Sequence, residues 1–86
     1  MYSLKIEDEP DKVFFKLSKK NPSELEHISK KIDQILENPY HFKPLRNELK
    51  GERRVHIGHF VLVYDIIEEE NKVRILRYKH HNDVYD

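Results

Sequence analysis

Two short stretches hold the groups that could do chemistry: Arg53-Arg54-Val55-His56 and Lys79-His80-His81-Asn82-Asp83-Val84-Tyr85. Five of the six histidines and all five arginines lie between His41 and His81. Imidazoles exchange protons near neutral pH, and guanidinium or ammonium groups hold phosphate and stabilise charge developing on it. Cleavage of RNA by its own ribose 2′-OH needs this set. A base takes the 2′-OH proton, an acid protonates the departing 5′-oxygen, and cations stabilise the phosphorane. An aromatic or guanidinium plane can hold an unstacked base. The reaction requires neither metal nor cofactor, and none is expected. His80-His81 could begin a metal site, but no acid-and-histidine spacing repeats elsewhere to complete one.

The elements that must position these groups follow from periodicity. Arg54 and His56 alternate with Val55 and Ile57, so a strand sends the two pairs to opposite faces. Gly58-His59 predicts a two-residue hairpin turn of the Gly-X kind. The nearly continuous apolar run 60–67 predicts a central strand, and 68–71 a charged turn. Residues 72–80 predict a last strand with Val73 and Ile75 inward. Upstream, Tyr2, Leu4 and Ile6 alternate with Ser3, Lys5 and Glu7 as in a half-buried strand. Pro10, preceded by Asp8 and Glu9, suits the first turn of a helix whose apolar stripe is Val13, Phe14 and Leu17. Asn21-Pro22-Ser23-Glu24 reads as a cap, a first-position proline and a residue able to reach back. Leu25, Ile28, Ile32, Ile35 and Leu36 then mark an amphipathic helix that Asn38-Pro39 ends. The two helices should form an antiparallel hairpin. Residues 40–51 read as a loop pinned by Leu45 and Leu49.

The predicted order is β-α-α-β-β-β, an α+β fold: a small antiparallel β-sheet with the N-terminal helical hairpin packed on one face. The helices take the apolar face, so Arg54 and His56 look to the open one. The end of the last strand brings Lys79, His80, His81 and Tyr85 toward that face. His27, His41 and His59 read as ordinary surface imidazoles, Arg53, Arg74 and Arg77 as sheet-surface cations, and Tyr64 and Tyr78 as packed aromatics.

Composition sets the bounds. Eighty-six residues fit one domain, 1–86, with one small core. The absence of cysteine excludes disulfides, thiolate metal sites and a cysteine nucleophile. No apolar run approaches a membrane span and no signal-peptide pattern opens the chain, so a soluble, cytoplasmic protein with no membrane contact is expected. A formal net charge of zero argues mildly against a nucleic-acid binder. Its distribution matters more: acids gather at Asp65 and Glu68-Glu69-Glu70, while the flanking strands are basic.

Three segments carry a resemblance. Pro44-Leu45-Arg46-Asn47-Glu48-Leu49-Lys50-Gly51, the strand pair from Arg53-Arg54 to Val63-Tyr64, and His80-His81-Asn82-Asp83-Val84-Tyr85 together resemble the RelE/ParE superfamily of toxins from toxin–antitoxin modules. They lie closest to its RelE branch. The resemblance implies a ribosome-dependent endoribonuclease, an mRNA interferase that cuts mRNA in the A site and inhibits translation. It implies a cognate, RelB-like antitoxin, a toxin–antitoxin heterotetramer, and operator DNA contacts made through the antitoxin. Arg54 and His56 match two basic positions of the family's second strand, and Tyr85 its terminal tyrosine. The family arginine near the end of the last strand falls at His81, or at Lys79 if the alignment slips; the arginine opening the third strand is Val61 here. The expected roles are therefore His81 or His56 as acid or base, Tyr85 assisting, and Arg54 and Lys79 on the phosphate. Lys43, Arg46, Lys50 and Arg53 would anchor RNA backbone. Two alternatives remain on the same fold: a ParE-like gyrase-inhibiting toxin, and a catalytically weakened toxin that persists as antitoxin partner and corepressor.

Overall fold

The computed structural model describes residues 1–44 and 51–84. Strand β1 (Ser3–Ile6) leads into helices α1 (Asp8–Lys20) and α2 (Pro22–Glu37). Strands β2 (Arg53–Ile57), β3 (Phe60–Ile67) and β4 (Lys72–His80) follow, then one short helical turn, α3 (His81–Val84). The proposed loop anchors Leu45 and Leu49 lie outside the described residues.

Local chemistry accounts for the helix boundaries. Asp8, Glu9 and Asp11 occupy the first turn of α1 and Lys19 and Lys20 its last, each sign at the favourable end of the dipole. Asn21 caps α2: its side-chain oxygen accepts from the Glu24 amide at 3.2 Å, with Pro22 in the first turn. Glu24 reaches back, as expected, but to the Asn21 side-chain amide at 3.3 Å. The Asn21 backbone N–H already donates to the Leu17 carbonyl at 2.8 Å.

The sheet runs in the order β1-β4-β3-β2. β2, β3 and β4 form the expected antiparallel meander, and β1 joins the edge parallel to β4, so the sheet is mixed. Gly58, at φ +62°, opens the β2–β3 turn, where glycine escapes the clash a Cβ brings. One face packs under the hairpin: Phe14, Ile28, Ile32 and Ile35 meet Val55, Leu62, Tyr64, Val73, Ile75 and Tyr78. Each such large side chain contributes about 1.5–3 kcal/mol on burial. Two buried phenols tie this core to its surroundings. Tyr64 donates to the Pro39 carbonyl at 2.6 Å, and Tyr78 to the Glu24 carboxylate at 2.6 Å.

β4 contains an irregularity that decides what the other face displays. Val63 pairs with Arg77, but Tyr64 pairs with Ile75, so Leu76 is an extra residue, a β-bulge. Alternation is reset there. Val73, Ile75 and Tyr78 all point into the core, while Arg74, Arg77 and Lys79 share the opposite face.

Candidate active site

Two cross-strand rows define the open face. His56 pairs with Val61 and Val61 with Lys79; Arg54 pairs with Val63 and Val63 with Arg77. Paired residues of antiparallel strands point the same way, about 5 Å apart. A rectangle results, with Arg54 and His56 on one short edge, Arg77 and Lys79 on the other, and two valines as its floor. Val61 and Val63 expose no surface. The aliphatic floor is closed to water, and the groups able to meet a ligand are the flanking cations and imidazole.

His81 completes one end. It begins α3, and its amide donates to the His59 carbonyl at 2.9 Å, fastening the end of β4 to the β2–β3 turn. The His56 and His81 rings then lie 5.5 Å apart between centroids, tilted by 30°. Burial, the Arg54 guanidinium and His81, in that order, push the His56 imidazole below its ordinary value near 6.5. A neutral, electron-pair-donating His56 is therefore the resting state at neutral pH.

The neighbouring histidine turns away. His80 lies in the row Ile57–Phe60–His80 on the helix side, 6.3 Å from the His59 ring and edge-on to Phe60 at 5.6 Å. Its Nδ1 accepts from the Asn82 amide at 3.2 Å, so it caps the turn that presents His81. Among the described residues no group of three or more His, Cys, Asp or Glu is arranged to hold a metal ion.

The other cations divide. Lys43 borders the site: its carbonyl accepts from the Arg54 amide at 3.0 Å, and it lines an open hollow of about 550 Å³ with His41, Phe42, Arg54 and His56. Lys79 lies 3.7 Å from Glu9 at the start of α1. Arg53 belongs elsewhere. It pairs with Tyr64 on the helix-side face, donates to the Phe42 carbonyl at 2.7 Å and stacks 5.1 Å over the Tyr40 ring. There it fastens the segment leaving α2 and does not join Arg54. Arg46, Lys50 and Tyr85 lie outside the described residues. The structure thus gathers Arg54, His56 and His81 with Lys43 at their border, places Lys79 on the same sheet face with its ammonium toward Glu9, and separates Arg53 from them.

It also adds Arg77, which sequence reasoning treats as an ordinary surface cation. Strict alternation from Val73 and Ile75 would send Arg77 into the core. The signal that corrects this is the apolar spacing Val73, Ile75, Tyr78, which slips by one residue after Ile75.

Comparison with known proteins adds to this geometry. The family model described as "ParE toxin of type II toxin-antitoxin system, parDE" matches residues 5–85. An uncharacterized protein of Methanosarcina mazei is 49% identical over 86 residues, covering 99% of this chain and all of that one. A Methanocaldococcus jannaschii protein assigned the name toxin RelE4 is 40% identical over 86 residues, covering 99% of this chain and 92% of that one. Among solved structures, the toxin–antitoxin complex RelBE2 of Mycobacterium tuberculosis contains a chain with a TM-score of 0.75 and 28% identity. That match covers 93% of this chain and 91% of the other.

Proposed function

This chain belongs to the RelE/ParE superfamily of type II toxin–antitoxin toxins, and we propose that within it the protein is a ribosome-dependent endoribonuclease that cleaves mRNA in the A site. The observation that carries this reading is the His56–His81 pair, 5.5 Å apart on a face that also holds Arg54 and Lys79. Neutral His56 takes the proton from the ribose 2′-OH, and the 2′-oxygen attacks the adjacent phosphorus. Arg54 and Lys79 stabilise the phosphorane as negative charge builds on it, where preorganised cations contribute most. His81 delivers a proton to the departing 5′-oxygen. The P–O5′ bond breaks as the P–O2′ bond forms, leaving a 2′,3′-cyclic phosphate and a 5′-hydroxyl. Tyr85 assists at the base or in proton transfer, and Lys43, Arg46 and Lys50 follow the RNA backbone. The ribosome supplies what this small face lacks, namely a held and splayed mRNA.

Like the Mycobacterium relative, which was solved in complex with its antitoxin, the chain is neutralised by a RelB-like antitoxin in a heterotetramer, with operator DNA contacted through that partner. No described helix is long and apolar enough to cross a membrane, and action on ribosomes places the protein in the cytoplasm.

The test is purified protein added to ribosomes programmed with a defined mRNA, with cuts mapped by primer extension. A-site cuts are expected, and replacing the A-site ribose by 2′-deoxyribose should abolish them. Intact mRNA at saturating toxin refutes the reading. A second reading, inhibition of a DNA topoisomerase by binding alone, is favoured by the match of residues 5–85 to the ParE toxin family model. Loss of supercoiling activity with translation untouched would select it.

A further inference from the structure

We propose that Arg77 is a phosphate-binding residue of the open face, and that Glu52 is its resting counter-ion, displaced when the RNA phosphate arrives. This rests on the nuclease reading for the identity of the ligand, but its geometry is independent of it. The bulge at Leu76 turns Arg77 to the face of Arg54 and puts both in one row across Val63. Their backbones are two strand spacings apart, about 10 Å. Extended guanidinium side chains on either side of an aliphatic floor can therefore converge on one phosphodiester. Arg77 is also next in line to Lys79 on the same strand, so together with His56 it adds a fourth corner to the site.

The ion pair makes the exchange possible. Glu52 meets Arg77 through Nη2 at 2.5 Å, with the Arg77 side chain 35% and the Glu52 side chain 23% exposed. A guanidinium has five N–H donors, and among the described residues this is the one hydrogen bond the Arg77 side chain makes. Arg74, on the same face, is held differently. Its Nε and Nη2 grip both oxygens of Asp65 at 3.0 and 2.6 Å, directly across the strands. That fork is closed, whereas the Arg77 fork is half used. A partly exposed pair of this kind is weak, and a phosphorane carries more charge than a carboxylate. Exchange of Glu52 for the reacting phosphate therefore becomes more favourable as the transition state forms, which is the condition for accelerating the reaction.

The experiment uses the full chain and a fluorescent single-stranded RNA with 2′-O-methyl riboses, which can bind but cannot be cut. Anisotropy titrations are run across a range of NaCl concentrations. Arg77→Met should weaken binding about tenfold and lower the salt slope by about 0.7, the value for one phosphate contact on a single strand. Glu52→Gln should tighten binding about two- to fivefold, and that gain should vanish in the Arg77→Met background. Arg74→Met should leave affinity near wild type. If Arg77→Met does not fold, Glu52→Gln still decides: unchanged or weaker binding overturns the proposal. So does wild-type affinity in Arg77→Met, or a Glu52→Gln gain that persists without Arg77. Cleavage on programmed ribosomes, run in parallel, separates the two ideas. RNA binding that depends on Arg77 without any cut sinks the nuclease reading and leaves the Arg77 assignment standing; cutting with binding indifferent to Arg77 does the reverse.

Discussion

Removal of the Tyr64 hydroxyl should change stability by an amount that depends on pH in a calculable way. Tyr64 exposes no surface, and its hydroxyl donates to the Pro39 carbonyl at 2.6 Å. Loss of that bond in Tyr64→Phe should cost about 1–2 kcal/mol at pH 8, because a buried carbonyl loses its donor. For a domain of this size that is roughly 4–8 °C in Tm per kcal/mol. Burial, against a smaller opposing effect of Arg53, pushes the Tyr64 phenol from near 10 up to about 12. Above pH 10 the unfolded chain therefore releases a proton that the folded chain retains, and the stability due to this group is lost as pH rises from 10 to 12. At pH 11 the linkage loss is about 1.4 kcal/mol, close to what the hydrogen bond contributes. Wild type and Tyr64→Phe, compared by urea denaturation followed by circular dichroism, should differ clearly at pH 8 and converge near pH 11. The comparison cancels lysine and arginine titration, which both proteins share. A gap that stays constant from pH 8 to 11 would show that the phenol ionises in the fold as freely as in the unfolded chain, and would refute the reasoning.

Three further outcomes are expected. His56→Gln should lower the A-site cleavage rate at least about 100-fold, the usual scale for a lost general base; and since the wild-type His56 value lies below 6.5, the acid limb of the wild-type pH profile should begin below that point, a limb the variant should lack. Gly58→Ala meets no neighbour within 4 Å but must adopt φ +62°, so it should cost about 1–2 kcal/mol of conformational strain, read as a lower urea midpoint. Asn21→Ala removes the α2 cap and should destabilise the fold by about 1 kcal/mol with cleavage at 25 °C unchanged, since the cap lies on the far side of the sheet from His56.

Much of this architecture is written in local patterns. The spacing of Ile28, Ile32 and Ile35, the cap at Asn21, the glycine turn at 58 and the alternation of Val55 with His56 each act within a few residues, and each appears in the fold as expected. What local patterns do not encode is pairing at a distance. The alternation of Tyr2, Leu4 and Ile6 declares a strand but not its neighbour, so the parallel seat of β1 against β4 follows from the tertiary fold alone. The bulge at Leu76 is harder to read, because Leu76 is itself apolar and conceals the slip that Ile75 and Tyr78 betray. That one residue decides whether Arg77 and Lys79 turn to the core or to the open face. His80 and His81 are equivalent in the sequence; the start of α3 separates them, sending one ring to Phe60 and the other to His56. Arg53 and Arg54 are likewise adjacent, and simple strand parity gives them different partners.

The place of β4 in the sheet has a consequence for how the protein is made. This strand lies between β1 and β3, and Ser3 waits for Lys72 to acquire its partner. The helical hairpin depends on near neighbours and can form while synthesis continues, but the sheet cannot close until residue 80 has left the exit tunnel. Long-range pairings of this kind are slow to form. A nascent chain therefore carries β1 without a partner and His56 without His81 until β4 and the start of α3 have been made. The face that brings His56 to His81 is therefore absent until β4 takes its place between β1 and β3.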